Sequence, residues 1–307
     1  MRSYVAASLA AFFMVNSCAQ AQQLEGALDP NVRDYPIVLT PTRLRQSLAD
    51  VPASVTIISA ETIRRYGINN VPDALRLVPG MAITQASGSD YRINYHGTNI
   101  LDPRRMNVLV DGISVYRPAL AKVDWKQLPV AIEDIDRIEV TRGPNSAAYG
   151  ANSMLAIVNI ITKHPSDVER AMISTTFGSL NTRNVTGRFS TTLGSTALRV
   201  SITREEDNGY DILSRAPDAH DSTRLHRLNA RSHTQFGDRS SLGLEAALVK
   251  SAIEVPFVDV FQTSFPDQRV RDYYLGAVWN TSFTPTHVLS RSAVLRRRLF
   301  LLTQERA

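Results

Sequence analysis

The pattern of apolar and polar positions changes its period near residue 166. Upstream, short helical and strand signals alternate. Val55–Ile58 is β-branched and predicts a strand, with Ser59 as the N-cap of a helix over Glu61–Tyr66 that Gly67 can end in a left-handed conformation. Asn70-Val71-Pro72-Asp73 predicts a second helix start, with Leu75 and Val78 on one face and Pro79-Gly80 as its stop. Met81-Ala82-Ile83 opens a strand, and Ser87–Asp90 has loop chemistry. Val108–Val115 reads as a hairpin, because Asp111-Gly112 supplies the positive-φ pair of a type I′ turn between apolar runs. Ile138–Val140 and Ala156–Ile161 are two further strands joined by a long excursion through Arg142-Gly143-Pro144 and Tyr149-Gly150. Residues 42–165 are therefore expected to form one compact α/β unit.

Downstream, over 166–290, helix patterns vanish and segments of strand length alternate every second residue. Leu198, Val200 and Ile202 oppose Arg199, Ser201 and Thr203; Leu228, Ala230 and Phe236 oppose Asn229, Arg231, His233 and Gln235. Tight turns at 178–181, 193–195 and 236–238 separate longer polar loops near 205–222 and 254–270. Short turns at one end and long loops at the other describe a transmembrane β-barrel wall. A soluble β-sandwich shows the same alternation, so the pattern alone leaves both open.

Charge and composition narrow the class. The chain has 307 residues and a formal charge of +5. Arg291, Arg296, Arg297, Arg298 and Arg306 against Glu305 give the last 17 residues a net +4, which leaves about +1 for the rest and no spread-out basic face for nucleic acid. Residues 1–21 read as an export signal, with Arg2, an apolar Val5–Val15 core and an Ala19-Gln20-Ala21 cleavage site. A lipoprotein box ending at the lone Cys18 is the rival, which Asn16 fits poorly. No later stretch holds 18 consecutive apolar residues, so a membrane-resident form must cross with strands.

The stretch Ile138-Glu139-Val140-Thr141-Arg142-Gly143-Pro144, followed by Tyr149-Gly150 and Asn159-Ile160-Ile161-Thr162-Lys163, resembles the plug of TonB-dependent outer-membrane receptors. The phrase from Val71 to Gly80 is similar to the same family. Two positions depart from it: His96 stands where such plugs commonly carry Arg before Gly97, and Ala156 where they carry Gly. A hydrogen-bonded structural role is the expectation for His96.

The resemblance implies an α+β plug over 42–165 followed by antiparallel strands of a 22-stranded transmembrane barrel, here incomplete, in the outer membrane of a Gram-negative bacterium. Residues 22–34 become a periplasmic linker. The segment 35–41 becomes the TonB box, so that Tyr35, Pro36, Ile37, Val38, Leu39 and Thr40 would bind TonB and its inner-membrane energising complex by strand addition. The resemblance also assigns ligand binding to apical loops at Ser87–Tyr91 and Tyr116–Ala121, with Asn99–Arg104 as a further candidate. Tyr91, Tyr116 and Arg117 would supply stacking area and bidentate contacts. Glu139 and Arg142 would lock the plug to the wall.

The implied function is active uptake of a scarce nutrient such as an iron–siderophore or cobalamin. The alternative is a non-transporting periplasmic plug-like binding module or inactive fragment. No catalytic or metal-ligand constellation and no cofactor motif stands out: the six histidines lack ligand spacing, and Glu133, Asp134, Asp136 and Glu139 read as a solvated turn. Residues 166–307 have room for six or seven strands. Alternation is expected to fade after Leu289, leaving 291–307 as an atypical basic tail of the kind a frameshifted or misannotated end would give.

Overall fold

The computed structural model describes residues 36–42, 46–96, 105–117, 122–150, 152–210, 220–254, 267–284 and 287–303. The chain divides at Pro52 into two units. In the first, strand β1 (Ile37–Val38) pairs antiparallel with β2 (Gln46–Ser47) through Ile37↔Ser47 and Val38↔Gln46. A 3-10 turn at Leu48–Asp50 follows, and Leu48 N donates to Pro36 O at 3.0 Å.

The second unit begins with the α/β portion. Strand β3 (Ser54–Ser59) runs into helix α1 (Ala60–Arg65), capped as the sequence suggests: Ser59 Oγ accepts from Thr62 N at 3.1 Å, and Gly67 closes the turn at φ +63°. Helix α2 (Val71–Leu75) is capped by Asn70, whose Oδ1 accepts from Asp73 N at 2.8 Å. A separate hairpin follows, β4 (Met81–Gln85) with β5 (Tyr91–Tyr95). Strands β6 (Met106–Val110) and β7 (Ile113–Ser114) turn through Asp111 (φ +49°) and Gly112 (φ +81°), as the Asp-Gly signal requires. Strand β8 (Ile135–Arg142), a short helix α3 (Ser146–Tyr149) and β9 (Ala156–Thr162) complete the portion. The five-stranded sheet has the order β3-β8-β9-β6-β7, antiparallel except for the central parallel pair β6 and β9. Its core is apolar: Val108, Ile138, Val140, Val158 and Ile160 are fully buried with Leu75 and Trp125 of the covering elements. Two-sided burial explains why β6 and β9 read as near-continuous apolar runs rather than as alternation.

Seven strands follow in a single antiparallel meander: β10 (Ala171–Phe177), β11 (Arg183–Leu193), β12 (Thr196–Asp207), β13 (Thr223–Phe236), β14 (Ser240–Glu254), β15 (Asp267–Thr284) and β16 (His287–Thr303). The sheet is open. Residues 291–303, expected as a tail without strand character, are a correction: β16 pairs with β15 from Thr284↔His287 to Asp267↔Thr303. The alternation persists there but is written in arginine. Arg296 and Arg298 take the inward positions and bond to Asp272 and Asp124, while Leu295, Arg297 and Leu299 face out. A hydropathy pattern registers such a strand as a break because its inward residues are charged.

The two faces of this wall decide between sandwich and barrel. The face packed on the α/β portion carries Thr186, Arg188, Ser190, Arg199, Ser201, Thr203, Arg227 and Asn229, all buried; Arg199 is 0% exposed. The opposite face presents Phe189, Leu228, Leu275 and Leu295, with Ile173 81% and Ile202 63% exposed. A water-soluble sandwich buries the apolar face; here the polarity is reversed, as in a wall whose outer side meets lipid.

Candidate functional site

Two regions can act: the apex of the α/β portion and its seam with the wall. At the apex, the β4–β5 loop is held by Ala86 N to Asp90 O at 2.9 Å, and Ser87 Oγ accepts from Asp90 N at 3.3 Å. The loop is tied to the connection between β12 and β13. Gly88 N donates to Asp221 Oδ2 at 2.6 Å, Tyr210 N donates to Asp221 Oδ1 at 2.7 Å, and the Tyr210 hydroxyl donates to Gln85 Oε1 at 3.1 Å. Asp221 is buried, so its carboxylate fixes both loops at once. A Cβ on Gly88 would meet Asp221 O at 2.6 Å, and one on Gly209 would meet Asp221 Oδ1 at 1.8 Å, so both positions require glycine. Asp221 and Gly209 escaped sequence reasoning because nothing local marks them within a long polar loop.

Tyr91 sits just below this apex. Burial, then the charges of Asp73 and Asp207 and the neighbouring Tyr210, hold its phenol protonated well above the usual range. It therefore offers a hydroxyl and an aromatic face rather than a charge. Tyr116 is half-buried, with its N–H donating to Ser114 Oγ at 3.3 Å. Arg117 does not stand free at the apex. Its side chain is 11% exposed and spans to the wall, pairing with Asp124 at 2.6 Å and with Asp272 of β15 at 3.3 Å. Burial lowers its pKa, with Asp124 opposing that shift. Arg117 thus links plug and wall. Residues 97–104 and 118–121, and with them much of two expected binding loops, lie outside the described residues.

Glu139 is fully buried and accepts from Arg137 Nε of the same strand at 2.9 Å; Arg142, at the end of that strand, is partly buried. Bonds from the α/β portion to the wall are carried by a set that sequence reasoning missed. Arg188 Nη1 reaches Asp134 Oδ1 at 3.2 Å, and Arg199 Nη1 reaches Lys163 O at 2.6 Å. Arg227 Nε reaches Leu128 O at 2.8 Å, while Asn229 Nδ2 reaches Pro129 O at 3.1 Å. Lys126 pairs with Asp207 at 3.0 Å, and Arg298 with Asp124 at 2.7 Å. Asp111, in the hairpin turn, accepts from Thr162 N and Oγ1 at 2.9 Å each and pairs with Arg231 of β13. Most of these bonds run from arginines on the wall to acids or carbonyls on the plug; Lys126–Asp207 and Arg117–Asp272 run the other way. The signal for them lay in the inward polar residues of each strand, every second position from Arg188 onward.

Three other expectations map as follows. His96 adopts φ +57°, packs its ring on Tyr95 with centroids 4.0 Å apart and donates its N–H to Gly80 O at 3.0 Å. Of the expected TonB box, Tyr35 lies outside the described residues. Ile37 and Val38 pair with their own chain's β2 rather than standing free, and Val38 and Thr40 are buried.

Comparisons with known proteins agree with this geometry. Residues 47–157 match the model of the TonB-dependent Receptor Plug Domain. The chain is 31% identical over 179 residues to the vitamin B12 transporter BtuB of Vibrio cholerae, and 31% over 181 residues to that of Vibrio vulnificus. These matches cover 57% of this chain and 28% of those proteins, so the chain spans under a third of the curated relatives it matches. Among solved structures it resembles the alcaligin outer-membrane receptor FauA of Bordetella pertussis, with TM-score 0.69, 17% identity, and coverage of 88% of this chain and 43% of that one. It also resembles the ferric yersiniabactin uptake receptor FyuA of Yersinia pestis, with TM-score 0.67, 19% identity, and coverage of 81% and 41%. An apolar-cored plug, bonded to the polar face of an inside-out wall, thus accords with these matches: residues 47–157 match the plug domain of TonB-dependent receptors, and the fold resembles that of outer-membrane receptors.

Proposed function

We propose that this chain supplies the plug and first wall strands of a receptor for active uptake of a scarce nutrient in the iron–siderophore or cobalamin class. The observation that carries the reading is the inverted wall: arginines and hydroxyls packed on the plug, leucines and phenylalanines facing out. Such a wall is stable only with lipid outside and a polar body inside, which is the setting of a gated transporter. The BtuB relatives are named as vitamin B12 transporters, FyuA as a ferric yersiniabactin uptake receptor and FauA as an alcaligin outer-membrane receptor, which supports this substrate class.

In this reading the ligand meets the apex at Ser87–Tyr91 and near Tyr116, and its binding acts through the Asp221 bridge on the loop beside it. The segment 35–40 receives TonB. Only two residue pairs hold β1 to β2, so the segment can exchange that partner for another strand at small cost. Force on it would then be resisted by the wall's arginines. Binding and gating do the work, with no bond made or broken in the ligand.

The experiment is deletion of residues 35–41 in cells producing the receptor, with labelled cobalamin and ferric siderophores as probes. Uptake should fall to background while surface binding of the same probe persists. Unchanged uptake would remove segment 35–40 from the mechanism. Recovery of the protein in the soluble periplasmic fraction would favour the binding-module alternative and overturn transport itself.

A further inference from the structure

The outward face of the wall is not uniformly apolar. In register across four consecutive strands stand Arg204, His226, Lys250 and Arg271: Arg204↔His226, His226↔Lys250 and Lys250↔Arg271 are direct neighbours. All four are exposed and share the parity of the lipid-facing side chains Ile202, Leu228, Leu248 and Tyr273 two residues further along. Arg224 and Arg297, also exposed, flank the row. Glu206 pairs with Arg204 at 2.6 Å and offsets one of these charges; the row remains basic.

Its level on the wall is informative. The row lies at the long-loop end, the same end at which Asp221 holds the apex of the plug. At the short-turn end the face closes on aromatic side chains, Phe236 stacked on Trp279 with centroids 5.4 Å apart. Ten residues of β13 separate His226 from Phe236. At about 3.4 Å per residue and a tilt of about 40°, that is about 26 Å of membrane height, the height of an outer-membrane apolar band. The basic row therefore falls at the headgroup level of the outer leaflet.

Directly below it the face is hollowed. Ala230↔Ala246 and Ala277↔Ala293 place small side chains in the middle of β13–β16, walled by Leu198, Leu244, Leu275 and Leu295. The resulting trough measures about 560 Å³ and is almost wholly apolar. A ligand that satisfies both features must carry phosphate at one end and hydrocarbon at the other.

We propose that this face is a seat for a phosphate-bearing, multiply acylated lipid of the outer leaflet, its phosphates on Arg204, His226, Lys250 and Arg271 and one acyl chain in the alanine trough. Guanidinium and ammonium groups at a membrane surface favour such headgroups, and the low dielectric beside the apolar belt strengthens the contact. Annealing of a lipid across four strands would also brace β12–β15 against the force that opens the plug.

The inference rests on the outer-membrane reading, and its test keeps the two apart. The receptor is purified in a non-ionic detergent, and native mass spectrometry counts lipids retained with bis-phosphorylated lipid A or with the same lipid after enzymatic dephosphorylation. The phosphorylated form should be retained at least about tenfold better. In the Arg204→Gln, Lys250→Gln, Arg271→Gln triple variant the preference should vanish. In Ala246→Phe, which fills the trough, retention of both lipids should fall together. Equal retention of the two lipids by the unaltered protein overturns the proposal without any variant, so a misfolded variant cannot obscure the outcome. A receptor that fractionates with membranes yet shows no preference refutes only the lipid seat; one found soluble refutes the outer-membrane reading beneath it.

Discussion

The plug sheet and the wall sheet of this protein obey opposite rules of burial. In the plug, Val108, Ile138 and Val158 are hidden in one apolar cluster. In the wall, Arg199, Arg227 and Asn229 are hidden, and Phe189, Ile202 and Leu295 are displayed. The plug is a water-type core that can drive its own collapse through apolar burial. The wall has no such core. Its stability must come from strand pairing, from lipid on one face and from hydrogen bonds to the plug on the other. One chain thus uses two solvents, and a substitution has an energetic sign only once the sheet and face are named.

The largest effect should come from violating the plug's rule. Ile138→Asp places a carboxylate at a position 0% exposed in the middle of the five-stranded sheet. With no cation able to follow it, the cost is about 4 kcal/mol or more, enough to leave the plug unfolded. Limited proteolysis should then cut within residues 53–165 while the wall strands stay protected. A plug that still resists protease would mean that its core is not the independent body described above.

The wall's rule is broken by Leu275→Arg, on the outward face of β15 at the level of Ala230, near the middle of the band between the basic row and the Phe236–Trp279 pair. In a bilayer this should cost about 2–4 kcal/mol, read by denaturant unfolding from lipid vesicles. In a soluble sheet the same exposed exchange would stay within about 0.5 kcal/mol. A negligible cost in vesicles would remove the inverted-wall argument at its root.

How much of this contrast the sequence disclosed depends on which rule a residue follows. Local chemistry was legible: Ser59 and Asn70 cap the helices expected of them, and Asp111-Gly112 makes the expected hairpin turn. The strands of the wall were legible from their period because inside and outside differ in polarity. The period does not say which face is buried, so the sandwich stayed open until Arg199 was seen to be enclosed. Strand β16 was missed because its inward positions, Arg296 and Arg298, are as charged as a disordered tail. The pair of Arg117 with Asp272 was not legible because the two lie 155 positions apart and only the fold brings them together. The Asp221 bridge was invisible for the same reason: loop residues 133 positions apart meet only across two elements.

Where the two sheets meet, the contrast can be measured as a coupling. Asp111 in the plug turn and Arg231 on β13 pair across the seam, and Thr162 bonds to the same carboxylate. Asp111→Asn keeps the shape and tolerates the positive φ, so it isolates the charge. A double-mutant cycle of Asp111→Asn with Arg231→Gln should return a coupling of about 1–2 kcal/mol in thermal or denaturant unfolding. Additive single effects would show that the seam is held by the neighbouring arginines instead.

The smallest expected effect is a pH dependence at the same seam. His164, in the connection after β9, lies with its ring 4.5 Å from that of His233 on β13, edge to face. Burial lowers its pKa below the usual 6.5, and His233, Arg231 and Arg199 push in the same direction against Asp167. The folded state therefore favours the neutral ring, while the unfolded chain takes up a proton near 6.5. The stabilisation is fully present above about pH 6.5 and declines as pH falls toward the lowered folded value. The ring is only partly buried, so solvent screens much of this. His164→Gln should flatten the fall in thermal midpoint between pH 7 and 5 without lowering the midpoint at pH 7.5, because only the protonated ring is penalised. A slope unchanged by that substitution would leave the histidine pair a packing contact.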